Sequence, residues 1–142
     1  MSLVLDASTA LAWCIARTDP NEAGLAQQTL ANVQLTGACA PALWYAEVAN
    51  TLLVFERAKR FSQSDSASFL SDLSRLAITP DETPMAWLQP QILAAARTYQ
   101  LTAYDATYLE LALRKGTALA TFDRKLAEAF RKAGGCVFGD QP

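Results

Sequence analysis

Leu3-Val4-Leu5-Asp6-Ala7-Ser8-Thr9-Ala10-Leu11 opens the chain with an apolar run that stops at an acid and passes directly into a helix-compatible stretch. A short, continuous apolar run bounded in this way suits a buried strand. It predicts a strand over Leu3 to Asp6 and a helix over Ser8 to Arg17. The pattern returns at Ala118-Leu119-Ala120-Thr121-Phe122-Asp123-Arg124, with a strand over Ala118 to Thr121 and a helix over Arg124 to Ala133. Strands that hand over to helices imply a mainly parallel sheet flanked by helices, an α/β fold.

Working outward, further strands are predicted at Ala38 to Ala40, Ala77 to Thr79 and Cys136 to Phe138. Helices are predicted over Asn21 to Val33, Ala42 to Lys59, Ser64 to Arg75, Met85 to Tyr99 and Ala106 to Arg114. Punctuation supports these bounds: Asp19-Pro20 and Pro41 stand at helix starts, Lys115-Gly116 and Gly134-Gly135 at helix ends. No repeat, linker or low-complexity tract divides the 142 residues, so a single domain is expected over 1–142.

Composition narrows the chemistry. The chain has no histidine, which excludes Ser-His and Cys-His nucleophile pairs, histidine-based nuclease chemistry and the common His-containing zinc sites. No apolar run approaches the ~20 residues that span a membrane, and the N-terminus lacks the pattern of a signal peptide. Three widely spaced cysteines, Cys14, Cys39 and Cys136, read as small reduced core residues of a cytoplasmic protein. The net charge of −2 gives no bulk sign of a nucleic-acid binder. Basic residues nevertheless gather at Arg57, Lys59 and Arg60 and again in the C-terminal third. They read as solvated helix ends or as a phosphate-contacting rim. Trp13, Trp44, Phe69 and Trp87 read as core.

Four acids occupy apolar contexts where an unpaired carboxylate is costly: Asp6, Glu47, Asp105 and Asp123. Asp6 and Asp123 stand at the carboxyl ends of predicted strands, where α/β folds gather functional groups. Taken singly, Asp6, Asp105 and Asp123 each have a plain reading as helix N-caps. Glu47 does not, because it lies two turns inside its helix; its plain reading is an exposed side shared with Asn50 and Thr51. Read together, the four suggest one all-oxygen site of the kind that suits Mg²⁺ or Mn²⁺. Strand alternation places Thr121 beside Asp123, a hydroxyl able to support an acid.

At these residues the chain resembles the PIN domain nucleases and, among them, the VapC toxins of bacterial toxin–antitoxin pairs. The matching stretches are Val4-Leu5-Asp6-Ala7-Ser8, Pro41 to Leu52 around Glu47, Leu101 to Leu109 around Asp105, and Leu119 to Leu126 around Asp123. The resemblance implies a three-layer fold with a protruding helical pair near Ala42 to Arg75. It makes Asp6, Glu47, Asp105 and Asp123 the catalytic and metal-binding quartet, supported by Ser8, Asn50 and Thr121. The implied activity is Mg²⁺- or Mn²⁺-dependent endoribonuclease cleavage leaving 5′-phosphate and 3′-hydroxyl ends. The implied partners are an RNA substrate, a small cognate antitoxin and a second copy of the chain in a homodimer, with no membrane. Two other classes use similar acids. An aspartyl phosphatase would want a second aspartate where Ser8 stands, and a receiver-type domain would want an acid pair near its first strand. A PIN-like binding module without nuclease activity is the non-enzymatic alternative.

Overall fold

The computed structural model describes residues 2–141. Four short strands form one parallel sheet: β1 (Leu3–Leu5), β2 (Ala38–Ala40), β3 (Ile78–Pro80) and β4 (Ala118–Ala120), in the order β3-β2-β1-β4. The helices are α1 (Ala7–Leu11), α2 (Pro20–Thr36), α3 (Ala42–Arg57), α4 (Gln63–Ser74), α5 (Met85–Tyr99), α6 (Ala103–Lys115) and α7 (Arg124–Lys132). Helices flanking a central parallel sheet make this the three-layer α/β architecture expected from the strand-to-helix pattern.

Leu3, Val4 and Leu5 are fully buried, as central parallel strands require, and burying each such side chain contributes about 1.5–3 kcal/mol. Leu3 pairs with Ala38 on one side and Ala118 on the other, so β1 lies inside the sheet. The Asp6 N–H donates to the Ala120 carbonyl at 3.0 Å, which carries the ladder to the first acid. Helix α6 packs on β1 and β4 and supplies the buried Tyr108, Leu109 and Leu111.

Several elements differ from their predicted bounds for local reasons. The first helix ends at Leu11, well short of Arg17, because tight turns follow and the Trp13 indole donates to the Ala26 carbonyl of α2 at 3.0 Å. Helix α2 runs on to Thr36 and stops at Gly37, whose φ of 76° and close neighbour Ala77 leave no room for a Cβ. Helix α6 begins at Ala103 because Thr102, not Asp105, is its N-cap. The predicted strand at Cys136 to Phe138 is reduced to one bridge, Leu119 to Val137. A turn follows at once, with Asp140 N–H on the Val137 carbonyl and the Asp140 carboxylate clamped by Arg131.

Burial also corrects two expectations. Trp44 and Phe69 are core, but Trp87 on α5 is 72% exposed. Cys14 and Cys39 are half-buried and Cys136 is exposed, all three as free thiols. Asp81 and Glu110 have side chains only 7% and 10% exposed. Both are paired to Arg114, at 2.6 and 2.7 Å, tying the segment after β3 to α6.

Candidate active site

Asp6 follows β1 and is 7% exposed. Although it holds the N-cap position of α1, its side chain caps nothing. Its Oδ2 instead accepts from the Thr121 hydroxyl at 2.6 Å and from the Ser8 hydroxyl at 2.7 Å. Those hydroxyls are themselves fixed: Thr121 Oγ1 accepts from the Asp123 N–H and Ser8 Oγ from the Phe122 N–H, both at 3.0 Å. The ends of β1 and β4 are thereby stitched together through one carboxylate. Ser8 stands where an aspartyl phosphatase would need its second acid, and it is already committed to orienting Asp6.

Asp123 does cap α7, accepting from the Leu126 N–H at 3.0 Å. Asp105 sits in the first turn of α6, its N–H on the Thr102 hydroxyl at 3.1 Å. Glu47 is half-buried on α3 and accepts from the Tyr108 hydroxyl at 2.5 Å. Thr51 donates to the Glu47 backbone carbonyl, whereas Asn50 is exposed and donates to none of the four acids.

Tyr108 escaped the sequence reading. Its signal was available: three residues after Asp105, it lies on the same helical face. Tyr108→Phe is expected to raise the Glu47 carboxyl further above its ordinary value. It would leave Glu47 without the hydrogen bond that opposes its raised pKa. Carboxyl titration of parent and variant by NMR checks this, and an unchanged Glu47 titration would contradict it.

Electrostatics tie the acids to one another. Burial pushes the Asp6 carboxyl above its ordinary value; the two hydroxyls oppose this, and the charge of Asp123 adds to the rise. Burial also raises Glu47, opposed by Tyr108 and reinforced by Asp6 and Asp105. Asp105 is raised by burial, then by Asp123 and Asp6, against the pull of Thr102 and Lys125. Asp6, Glu47 and Asp105 therefore each feel at least one other acid of the four, across different elements. Among the described residues, no three Asp, Glu, Cys or His side chains stand close enough to hold an ion as they are. The carboxylates are turned instead onto protein donors, Ser8 and Thr121, Tyr108, and the Leu126 amide. As a donor set, oxygen only and mutually repelling, they suit a hard divalent cation.

The basic residues divide. Arg114 and Arg131 are taken up by ion pairs, whereas Arg17 pairs with Glu22 at 2.7 Å and lies 4.6 Å over the Phe122 ring.

The PIN domain profile matches residues 3–132. The chain belongs to the PIN domain family. Members of this family are nucleases. Curated proteins include no match to the sequence. Among solved structures, PAE2754 from Pyrobaculum aerophilum is similar with a TM-score of 0.70 at 21% identity, covering 91% of this chain and 84% of its own. FitAcB from Neisseria gonorrhoeae is similar with a TM-score of 0.62 at 21% identity, covering 98% and 97%. FitAB bound to an IR36 DNA fragment is similar with a TM-score of 0.55 at 22% identity, covering 97% and 94%. At such identities the likeness speaks for the PIN fold. No described helix is long and apolar enough to cross a membrane.

Proposed function

We propose that this PIN domain is a divalent-metal-dependent endoribonuclease, the toxin of a type II toxin–antitoxin pair. The observation that carries the nuclease reading is the buried Asp6 carboxylate, held by Thr121 and Ser8 and electrostatically coupled to Asp123, Glu47 and Asp105. Asp6, Glu47 and Asp105 would hold Mg²⁺ or Mn²⁺, with Asp123 holding a second ion or orienting the attacking water. Bound there, a divalent ion supplies an acidified water at neutral pH and stabilises charge on the leaving oxygen.

The chain's own groups prepare that chemistry. Thr121 and Ser8 fix the rotamer of Asp6, and Tyr108 fixes Glu47. The capping bond to Leu126 holds Asp123 at the start of α7. Ionisation of Asp6, Glu47 and Asp105 is opposed by burial and by neighbouring acids, so a cation would stabilise the charged set that the metal-free protein disfavours. The toxin role rests on the VapC-like motifs, together with the fold likeness to FitAcB and to FitAB, the latter seen bound to DNA. In this reading a small antitoxin covers the acidic groove, the toxin forms a homodimer and both act in the cytoplasm.

The test is incubation of the purified chain with RNA and Mn²⁺, with and without chelator. Chelator-sensitive cleavage leaving 5′-phosphate and 3′-hydroxyl ends is the expected result. Products with 2′,3′-cyclic phosphate ends, or cleavage indifferent to chelator, would overturn it. Growth arrest on expression, relieved by a small co-expressed partner, is expected of the toxin role; arrest without relief would remove it.

A further inference from the structure

A cavity of about 420 Å³ begins at Ser8, the residue that orients Asp6, and runs past Leu11, Ile15, Arg17, Thr51 and Phe55. Its size falls within the roughly 300–1,000 Å³ of small-molecule sites. A second cavity, of about 340 Å³, is lined by Thr121, Phe122, Asp123 and Arg124. Glu22, the partner of Arg17, stands in the wall of both, and Arg17 lines the first. Both cavities adjoin the acids, one through Ser8 and the other through Asp123 itself.

Arg17 is built into this wall in a particular way. Its Nε donates to Glu22 Oε2 at 2.7 Å, and its guanidinium lies 4.6 Å over the ring of Phe122, the residue between Thr121 and Asp123. Two restraints, an ion pair on one edge and a ring on one face, fix the plane of the group. The remaining guanidinium N–H donors have no acceptor among the described residues, and a guanidinium fork with free donors matches phosphate oxygens. The apolar wall of Leu11, Ile15 and Phe55 suits the flat apolar body of a nucleobase, beside a Phe55 ring that also carries the Arg60 guanidinium 4.8 Å from its centroid.

We propose that Arg17 grips the RNA phosphate next to the scissile one, and that the Ser8–Phe55 cavity receives the adjoining nucleotide. The proposal rests on the nuclease reading and names the residue that positions its substrate. Glu22 and Phe122 act on RNA only by holding Arg17 in place.

The test uses the full chain carrying Asp6→Asn, so that RNA stays intact, and a short fluorescein-labelled single-stranded RNA of mixed sequence in Mn²⁺. Adding Arg17→Ala is expected to weaken binding about tenfold. It should also flatten the slope of log affinity against log salt by about 0.7, the share of one phosphate contact on a single strand. Placed in the otherwise unaltered chain, Arg17→Ala is expected to raise KM about tenfold with kcat within about twofold. If the alanine variant does not fold, Arg17→Gln, which keeps a polar stem without the charge, carries the same expectations. An unchanged salt slope and KM, even with a lowered melting temperature, would show Arg17–Glu22 to be a structural ion pair and overturn the proposal alone. An unaltered chain that neither binds nor cuts RNA would overturn the nuclease reading and this proposal with it.

Discussion

Asp6→Asn is expected to lower metal-dependent RNA cleavage by at least about a thousandfold while the chain keeps its fold. Asparagine is nearly isosteric, and its amide oxygen still accepts from the Thr121 and Ser8 hydroxyls that now reach Asp6 Oδ2 at 2.6 and 2.7 Å. What disappears is the negative charge. With it goes the attraction to a divalent ion, at the acid most deeply placed in the sheet. Circular dichroism and kinetics on the same preparation check the two halves, and undiminished cleavage by the folded variant would sink the assignment. Asp105→Asn is expected to behave alike, because Asp105 is coupled to both Asp6 and Asp123.

The second large effect is on stability. Asp6, Glu47 and Asp105 all carry folded pKa values raised above the ordinary 3.8 and 4.5. Across the window from those ordinary values up to the raised ones, the folded state binds more protons than the unfolded chain. Their contribution is therefore present in full below about pH 4 and is lost as pH rises through the folded values. Asp81 and Asp140, held below the ordinary range by Arg114 and Arg131, act oppositely and lose their contribution as pH falls below about 4. The metal-free chain is thus expected to be most stable in mildly acid solution and to weaken toward neutrality. Asp6→Asn should flatten that decline in a melting series with pH. A decline as steep in the variant as in the parent would contradict the origin assigned to it.

How much was legible in the sequence follows from the range of each interaction. The β1 and β4 strands and the acids after them were readable, because an apolar run ending in an acid is a local pattern. The cap chemistry was half readable. Asp123 is a cap, but Asp6 occupies a cap position and spends its oxygen on Thr121, 115 residues away, a partner only the sheet order brings near. Asp105 was displaced from its expected cap because Thr102, whose hydroxyl also caps, lies three residues earlier and accepts from the Asp105 N–H. Tyr108 on Glu47 and Arg114 on Asp81 are contacts between elements, invisible to periodicity. Trp87 shows the reverse error, since a tryptophan in an apolar helix reads as core until the packing is known. The fifth strand failed because Val137 alone meets β4 before the chain turns.

The claim at the centre is that four acids on separate elements form one cation site. Mn²⁺ binding to the folded chain tests it most directly, read as the change in melting temperature of the parent and of Asp6→Asn, Glu47→Gln, Asp105→Asn and Asp123→Asn. At a hundredfold excess over Kd, one bound ion adds about 2.7 kcal/mol, roughly 5–10 °C for a chain of this size. The parent is expected to rise by that amount at neutral pH, and each variant to lose most of the rise. A parent whose melting temperature ignores Mn²⁺, or four variants that respond as fully as the parent, would contradict a shared site.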